Sequence, residues 1–250
     1  MNDDSQWEAN NHKATQLHMQ GRYEEAEGFF LDALKEVEQF GEKDVRLALV
    51  LNNLANLYHN QKKYDQAEPL YRQALAIREE LLGPSHLLVA QSLNNLASLC
   101  RDQSQYGEAE TLIKRSLAIK ENLHGSRHMS LTNSLNNLAA IYGDQSRYAE
   151  AEALFKRSLD IREDAFGPYH HSVASSLVGL GEVYCAQGRY AESEALYKRA
   201  LTIREEMLGP EHPSVATLFE RYAVLLRKID RQAEAGEMET RAKAIIDGQP

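Results

Sequence analysis

The chain has 250 residues, 43% hydrophobic and 26% charged, enough apolar content for a packed core and too much for a disordered chain. Its net charge of −9 is uneven: residues 1–42 hold 10 acids against 3 bases, and the rest hold 27 against 25, so there is no basic stripe to neutralise nucleic-acid phosphates. No apolar run approaches the roughly 18 residues that span a bilayer, the N-terminal MNDDSQWEANNHK lacks the apolar stretch of a signal peptide, and two cysteines, Cys100 and Cys185, are too few for a disulfide framework; a cytoplasmic chain without membrane insertion is expected.

Along the chain, residues 1–43 read as a degenerate first unit. QGRYEEAEGFFLDAL has the pattern of a helix entry, whereas Asn10 and Lys13 stand where later units carry Leu. From residue 44 to 210 the sequence repeats with a period of 42. Tyr64, Tyr106, Tyr148 and Tyr190 mark it, as do Leu54, Leu96, Leu138 and Leu180, and Gly83, Gly125, Gly167 and Gly209. Each unit predicts two helices, near 44–61 and 64–82 in its first copy. Leu51, Leu54, Ala55 and Tyr58 form an apolar stripe at helical spacing, and Tyr64, Ala67, Tyr71, Ala74 and Leu75 form a second. Short polar turns such as HNQKK join antiparallel neighbours. Gly83-Pro84 ends the second helix, because glycine suits the C-terminal cap and proline cannot continue the helix. Residues 211–250 read as a degenerate last unit, with Gln232 in place of the repeat Tyr and Glu239 in place of the second-helix aromatic. Small residues at 55, 67 and 74 allow close helix approach. One pair cannot bury both stripes alone, so successive pairs must stack.

This pattern resembles the tetratricopeptide repeat. Leu54-Ala55, Tyr58, Ala67, Tyr71 and Ala74 fall on its signature positions, and the 42-residue period, the LNNLA stretch and LGPEHPSVA at 208–216 resemble its kinesin light chain-like subclass. The resemblance implies an all-α, right-handed superhelix of about six helix-turn-helix units forming one domain, 1–250. It implies a non-enzymatic scaffold that binds a protein or peptide segment in its concave groove. The alternatives are a weakly self-associating scaffold that uses its capping units, or an accessory domain of a larger assembly. The heptad coiled coil of motor light chains is missing from the sequence, which argues against a motor-subunit role.

Asparagine is the most informative polar residue. It recurs mid-helix at Asn52, Asn53 and Asn56, at Asn94 and Asn95, and at Asn133, Asn136 and Asn137, although it is a mediocre helix former. In the family the first helix lines the groove, so the resemblance assigns peptide binding to Asn53, Asn56, Asn95, Ser98, Arg101, Asn133 and Asn137, with Arg221 taking the Asn53-type position in the last unit. A primary amide suits a peptide backbone because it both donates and accepts. The bland reading is that these amides bond neighbouring helices. The Lys-Asn-Arg clamp of chaperone-tail binders is missing, since Asn52, Gln91 and Asn133 stand at the lysine positions. His86, His128, His170 and His212 also recur every 42 residues. Stacked units stand on the order of 10 Å apart, too far to converge on one metal ion, so a helix-cap or linker-packing role is expected. No catalytic residues, metal ligands or cofactor are predicted: GxxxxGK, HExxH, GxSxG and GxGxxG are all missing.

Overall fold

The computed structural model describes residues 6–41 and 43–248. Among these are twelve α-helices and no strand: α1 (Gln6–Met19), α2 (Tyr23–Glu38), α3 (Val45–Asn60), α4 (Tyr64–Leu82), α5 (Leu87–Asp102), α6 (Tyr106–His124), α7 (Thr132–Asp144), α8 (Tyr148–Phe166), α9 (His171–Ala186), α10 (Tyr190–Leu208), α11 (Pro213–Lys228) and α12 (Gln232–Ile246). Odd-numbered helices are the first (A) and even-numbered the second (B) of each pair, the all-α helix-turn-helix architecture expected of the repeats. The chain divides into two compact units, residues 1–123 and 124–250.

The repeat stripes are the core. Leu54, Ala55, Ala67, Tyr71 and Ala74 are buried in the first unit, and Leu177, Leu180, Tyr197 and Ala200 in the second. A Cβ added to Gly181 would lie 2.8 Å from the Tyr197 ring, which shows how closely an A helix approaches its B partner. The corresponding residues Ala55, Ala97, Ala139 and Ala223 are also small and buried. The ends follow a different rule. Helix α12 buries only Ala235 and Ala242, and Glu239, in place of the usual aromatic, pairs with Arg227 at 2.7 Å. In α1, Asn10 stays polar because its amide donates to Glu36 Oε1 at 3.0 Å.

The linkers carry matched stop and start signals. Gly83 sits at φ 83°, a region glycine enters without strain, and its N–H closes α4 on the Glu79 carbonyl. His86 then caps α5, its Nδ1 accepting from the Leu88 N–H at 3.1 Å. His128, His170 and His212 repeat the cap at 3.2 Å each, onto Ser130, Ser172 and Ser214. Asp44 fills the same role for α3, accepting from the Arg46 N–H at 2.7 Å. The third linker departs from the strict period. Residues Met129–Leu131 form a 3-10 turn before α7, stabilised by the Thr132 hydroxyl bonding back to the Met129 carbonyl at 3.0 Å.

A recurring polar staple joins successive pairs. A glutamate on one B helix accepts from the next A-helix tyrosine: Tyr58 to Glu27 at 2.9 Å, Tyr184 to Glu152 at 3.1 Å and Tyr222 to Glu194 at 2.8 Å. A turn arginine completes it. Arg189 reaches Glu152 at 2.8 Å while lying 3.6 Å over the Tyr184 ring, and Arg231 reaches Glu194 at 2.8 Å. Hydrogen bonds from Lys198, Arg231 and Tyr222 hold the Glu194 carboxyl down at about 2, against the opposing effect of its burial.

Two tests follow from this packing. Leu138→Ala should cost about 2–5 kcal/mol, because the buried side chain leaves a cavity at a helix seam. Lys156→Ala, which loses an exposed pair with Glu152, should cost under about 0.5 kcal/mol. Denaturant midpoints separate the two, and equal shifts contradict the core assignment. The Glu194 staple should be fully present above about pH 4.5, the ordinary carboxyl value, and be lost as pH falls toward about 2. Glu194→Gln should therefore be about 1–3 kcal/mol less stable than wild type at pH 7, with the gap closing in acid. A gap that is flat with pH argues against the staple.

Candidate functional site: the asparagine face of the A helices

In the first compact unit the A helices α1, α3 and α5 lie side by side, and their asparagines meet across the seams. Asn53 Nδ2 donates to Asn11 Oδ1 at 3.0 Å, and Asn95 Nδ2 donates to Asn52 Oδ1 at 3.0 Å. Asn52 is 2% exposed, whereas Asn53 and Asn95 are half-buried and reach the surface. About two turns further along, Asn60 bonds His18 at 2.7 Å and His59 bonds Asp102 at 2.9 Å. The amides therefore tie helix to helix, and Asn53 and Asn95 each spend one N–H on that tie. Asn11 was the member of this series not singled out from sequence; its position, 42 residues before Asn53, was the available signal.

The other candidates are placed as follows. Asn56 Oδ1 accepts from the buried Tyr71 hydroxyl at 2.6 Å, so it serves the contact between α3 and α4. Ser98 is half-buried on α5, and Arg101 pairs with Asp102 at 3.0 Å. The remaining three belong to the second unit. Asn133 is exposed on α7, and its Oδ1 accepts from Arg162 Nη2 at 2.9 Å. Asn137 is half-buried one turn further on. Arg221 on α11 is ion-paired with Glu182 on α9.

Glycine breaks the series at residue 179. A Cβ there would fall 2.2 Å from the Phe155 ring, so the ring occupies the space a side chain would need. The neighbouring Asn136 Oδ1 accepts instead from Ser176 Oγ at 3.3 Å. Within the second unit, α9 therefore carries no asparagine at this position, and its polar contact is Glu182 with Arg221.

Nothing in the surroundings resembles an activated nucleophile. Cys100 is fully buried, and that burial pushes its thiol up to about 11, the opposite of what nucleophilic chemistry requires. Burial also raises Cys185. Among the described residues, no group of three or more His, Cys, Asp or Glu side chains is placed to hold a metal ion. No helix among them is long and apolar enough to cross a membrane. A hollow of about 610 Å³ opens beside α4, lined by Glu38, Lys43, Leu47, Gln73, Ala76, Ile77 and Glu80, and includes none of the asparagines.

An amide pair of this kind has a modest energetic role. Asn95→Ala should lower stability by about 0.5–1.5 kcal/mol, the net worth of one hydrogen bond. Thermal or denaturant melts would check this, and a loss well above 2 kcal/mol would make Asn95 a core residue rather than a surface tie.

Comparison with known proteins agrees with the fold. The tetratricopeptide repeat family model matches residues 8–80, 46–122, 130–206 and 172–247. No curated protein matches the chain. Among solved structures, BtubC (BKLC) from P. vanneervenii is 20% identical with a TM-score of 0.67, covering 97% of this chain and 91% of that one. A kinesin-light-chain-type protein of nearly identical TPR-like repeats from Podosopora anserina is 26% identical with a TM-score of 0.63, covering 80% of this chain and 95% of its own. A Rap protein complexed with competence and sporulation factor is 16% identical with a TM-score of 0.71, covering 99% of this chain and 76% of that one. The chain belongs to the tetratricopeptide repeat family, and its 42-residue period is of the kinesin light chain-like kind.

Proposed function

We propose that this chain is a non-enzymatic, cytoplasmic scaffold that binds an extended partner segment along the asparagine face of its A helices. Repeats of this family generally mediate protein–protein interaction, and a solved protein of the same fold is complexed with a factor. The observation that carries the reading is the pair of amide ties, Asn53 to Asn11 and Asn95 to Asn52. Each tie fixes an amide at the surface without exhausting it, because Asn53 and Asn95 keep a carbonyl oxygen and a second N–H for a ligand's backbone. Fixed donors and acceptors lose little entropy when a ligand arrives. Amide-to-backbone contacts place few demands on partner sequence. Asn133 and Asn137 offer the same chemistry on the second unit, and Arg221, once parted from Glu182, would offer a charge to an acidic group.

The test is a peptide-array screen followed by affinity measurement on wild type, Asn53→Ala, Asn95→Ala and the double variant. Each contact contributes about 0.5–1.5 kcal/mol, so a single change should weaken binding by up to roughly tenfold and the double by more. Far-ultraviolet circular dichroism on each variant confirms that the helices remain. Salt dependence should be mild, since the face is nearly neutral. A partner whose affinity is unchanged in the double variant removes the assignment.

A further inference from the structure

Three of the histidine-capped linkers, those of His86, His170 and His212, hold one backbone residue by both of its polar groups, while at the His128 linker Lys120 stands in the arginine's place. Leu88 donates its N–H to His86 Nδ1 at 3.1 Å and accepts on its carbonyl from Arg78 Nη1 at 3.1 Å. Ser172 is held by His170 Nδ1 at 3.2 Å and by Arg162. Ser214 is held by His212 Nδ1 at 3.2 Å and by Arg204 Nη1 at 2.5 Å. Arg78 and Arg162 are 2% and 4% exposed, their Nε atoms have no partner, and neither makes an ion pair among the described residues. The histidines, in contrast, are exposed or half-exposed to solvent protons.

This arrangement requires a neutral imidazole with its proton on Nε2. A protonated ring carries hydrogen on Nδ1 and cannot accept the helix N–H. Its charge would also sit at the positive end of the helix dipole and beside the arginine gripping the same residue. The other groups around the rings add little relief. Arg115 donates to the Pro84 carbonyl near His86 and pairs with Glu79. His124 stacks on His128 at 4.3 Å, and Arg157 donates to the Ser126 carbonyl. Phe166 and His171 flank His170 at 4.2 and 4.3 Å, and Arg199 donates to the Pro168 carbonyl while pairing with Glu163. His212 is next to Glu211 in sequence and contacts the Ser214 hydroxyl at 2.9 Å. Desolvation and His171 hold His170 below the ordinary histidine value.

The first linker is built differently. Asp44 is the cap, paired with the Arg46 guanidinium at 2.8 Å, and the buried Val37 stands at the place of Arg78 in the register set by Tyr23 and Tyr64. Burial aside, Arg46 holds the Asp44 carboxyl below the usual carboxylate range.

We propose that His86, His128, His170 and His212 make their linkers acid-labile joints: a ring that gains a proton on Nδ1 can no longer accept the helix N–H, so in acid the first turns that they cap open together, while α3 keeps its Asp44 cap. The capped turn needs an unprotonated Nδ1 and the open one does not, so acidification drives opening and neutral pH restores closure. The proposal concerns the joints alone and does not depend on what the A-helix face binds.

Site-resolved hydrogen exchange tests it, with each rate normalised to the unprotected peptide at the same pH. Protection at the Leu88, Ser130, Ser172 and Ser214 amides should fall about tenfold between pH 7.5 and 5.0, the equilibrium equivalent of losing a cap, whereas Arg46 should change little. Replacing the four histidines by Asn, which caps without titrating, should abolish the fall; should the quadruple variant fail to fold, His86→Asn and His170→Asn report joint by joint. Unchanged protection at the four amides, an equal loss at Arg46, or a fall that persists in the Asn variants would overturn the proposal.

Discussion

The close approach of the two helices in each pair governs the rest of the structure. Where Gly181 meets the Tyr197 ring there is no room for a Cβ without movement, and the same repeat position is otherwise alanine. A small residue on A and a bulky one on B let the stripes interlock, but each pair still has an apolar side that only the next pair can cover. Every device between pairs serves that second contact: the glycine stop, the histidine cap, the arginine on the first-turn carbonyl and the glutamate staple. All recur near the 42-residue period because all answer the same geometric demand.

The A-helix face shows how one residue type serves two ends. Asparagine mid-helix costs propensity, and the amide ties offset part of that cost by cross-linking neighbours. The ties also keep the side chains from folding back onto their own helix carbonyls, a common fate of short polar residues. At Gly179 the Phe155 ring occupies the space that a side chain would need, so no amide stands there.

Much of this was legible in sequence. The period located both helices of every pair, and the residues at 54, 55, 71 and 74 identified themselves as core by spacing alone. Glycine and proline placed the linkers, and the distance between stacked units directed the histidines to capping. The partners of the polar residues were less accessible. Nothing local says that Asn53 bonds Asn11 or that Asn56 receives the Tyr71 hydroxyl, because these contacts join residues 42 and 15 positions apart. The 3-10 turn at Met129–Leu131 was also hidden, since it arises from a threonine back-bond rather than a change in hydrophobic pattern.

The seam between α4 and α5 brings these threads together. Cys100 stands where α3, α7 and α9 carry a tyrosine, and Gln105 where the other turns carry Lys or Arg, so Glu68 pairs with Arg72 at 2.9 Å instead of reaching across to a tyrosine. On the B side Arg72 crosses to Glu108 on α6 at 2.8 Å, and Arg115 on α6 returns to Glu79 on α4 at 2.6 Å. Arg78 on α4 bonds Ser92 and the Leu88 carbonyl on α5, and the A side adds Asn95 on Asn52 and His59 on Asp102. At the preceding seam both sides are fastened, by Tyr58 on Glu27 and by Asn53 on Asn11. Part of the hold across the α4–α5 seam thus comes from the asparagine face. A ligand that bridges Asn53 and Asn95 would brace the seam, and one that captures their amides at the expense of the ties would loosen it. On the proposed reading, binding and the local stability of this joint would be coupled through the same two asparagines.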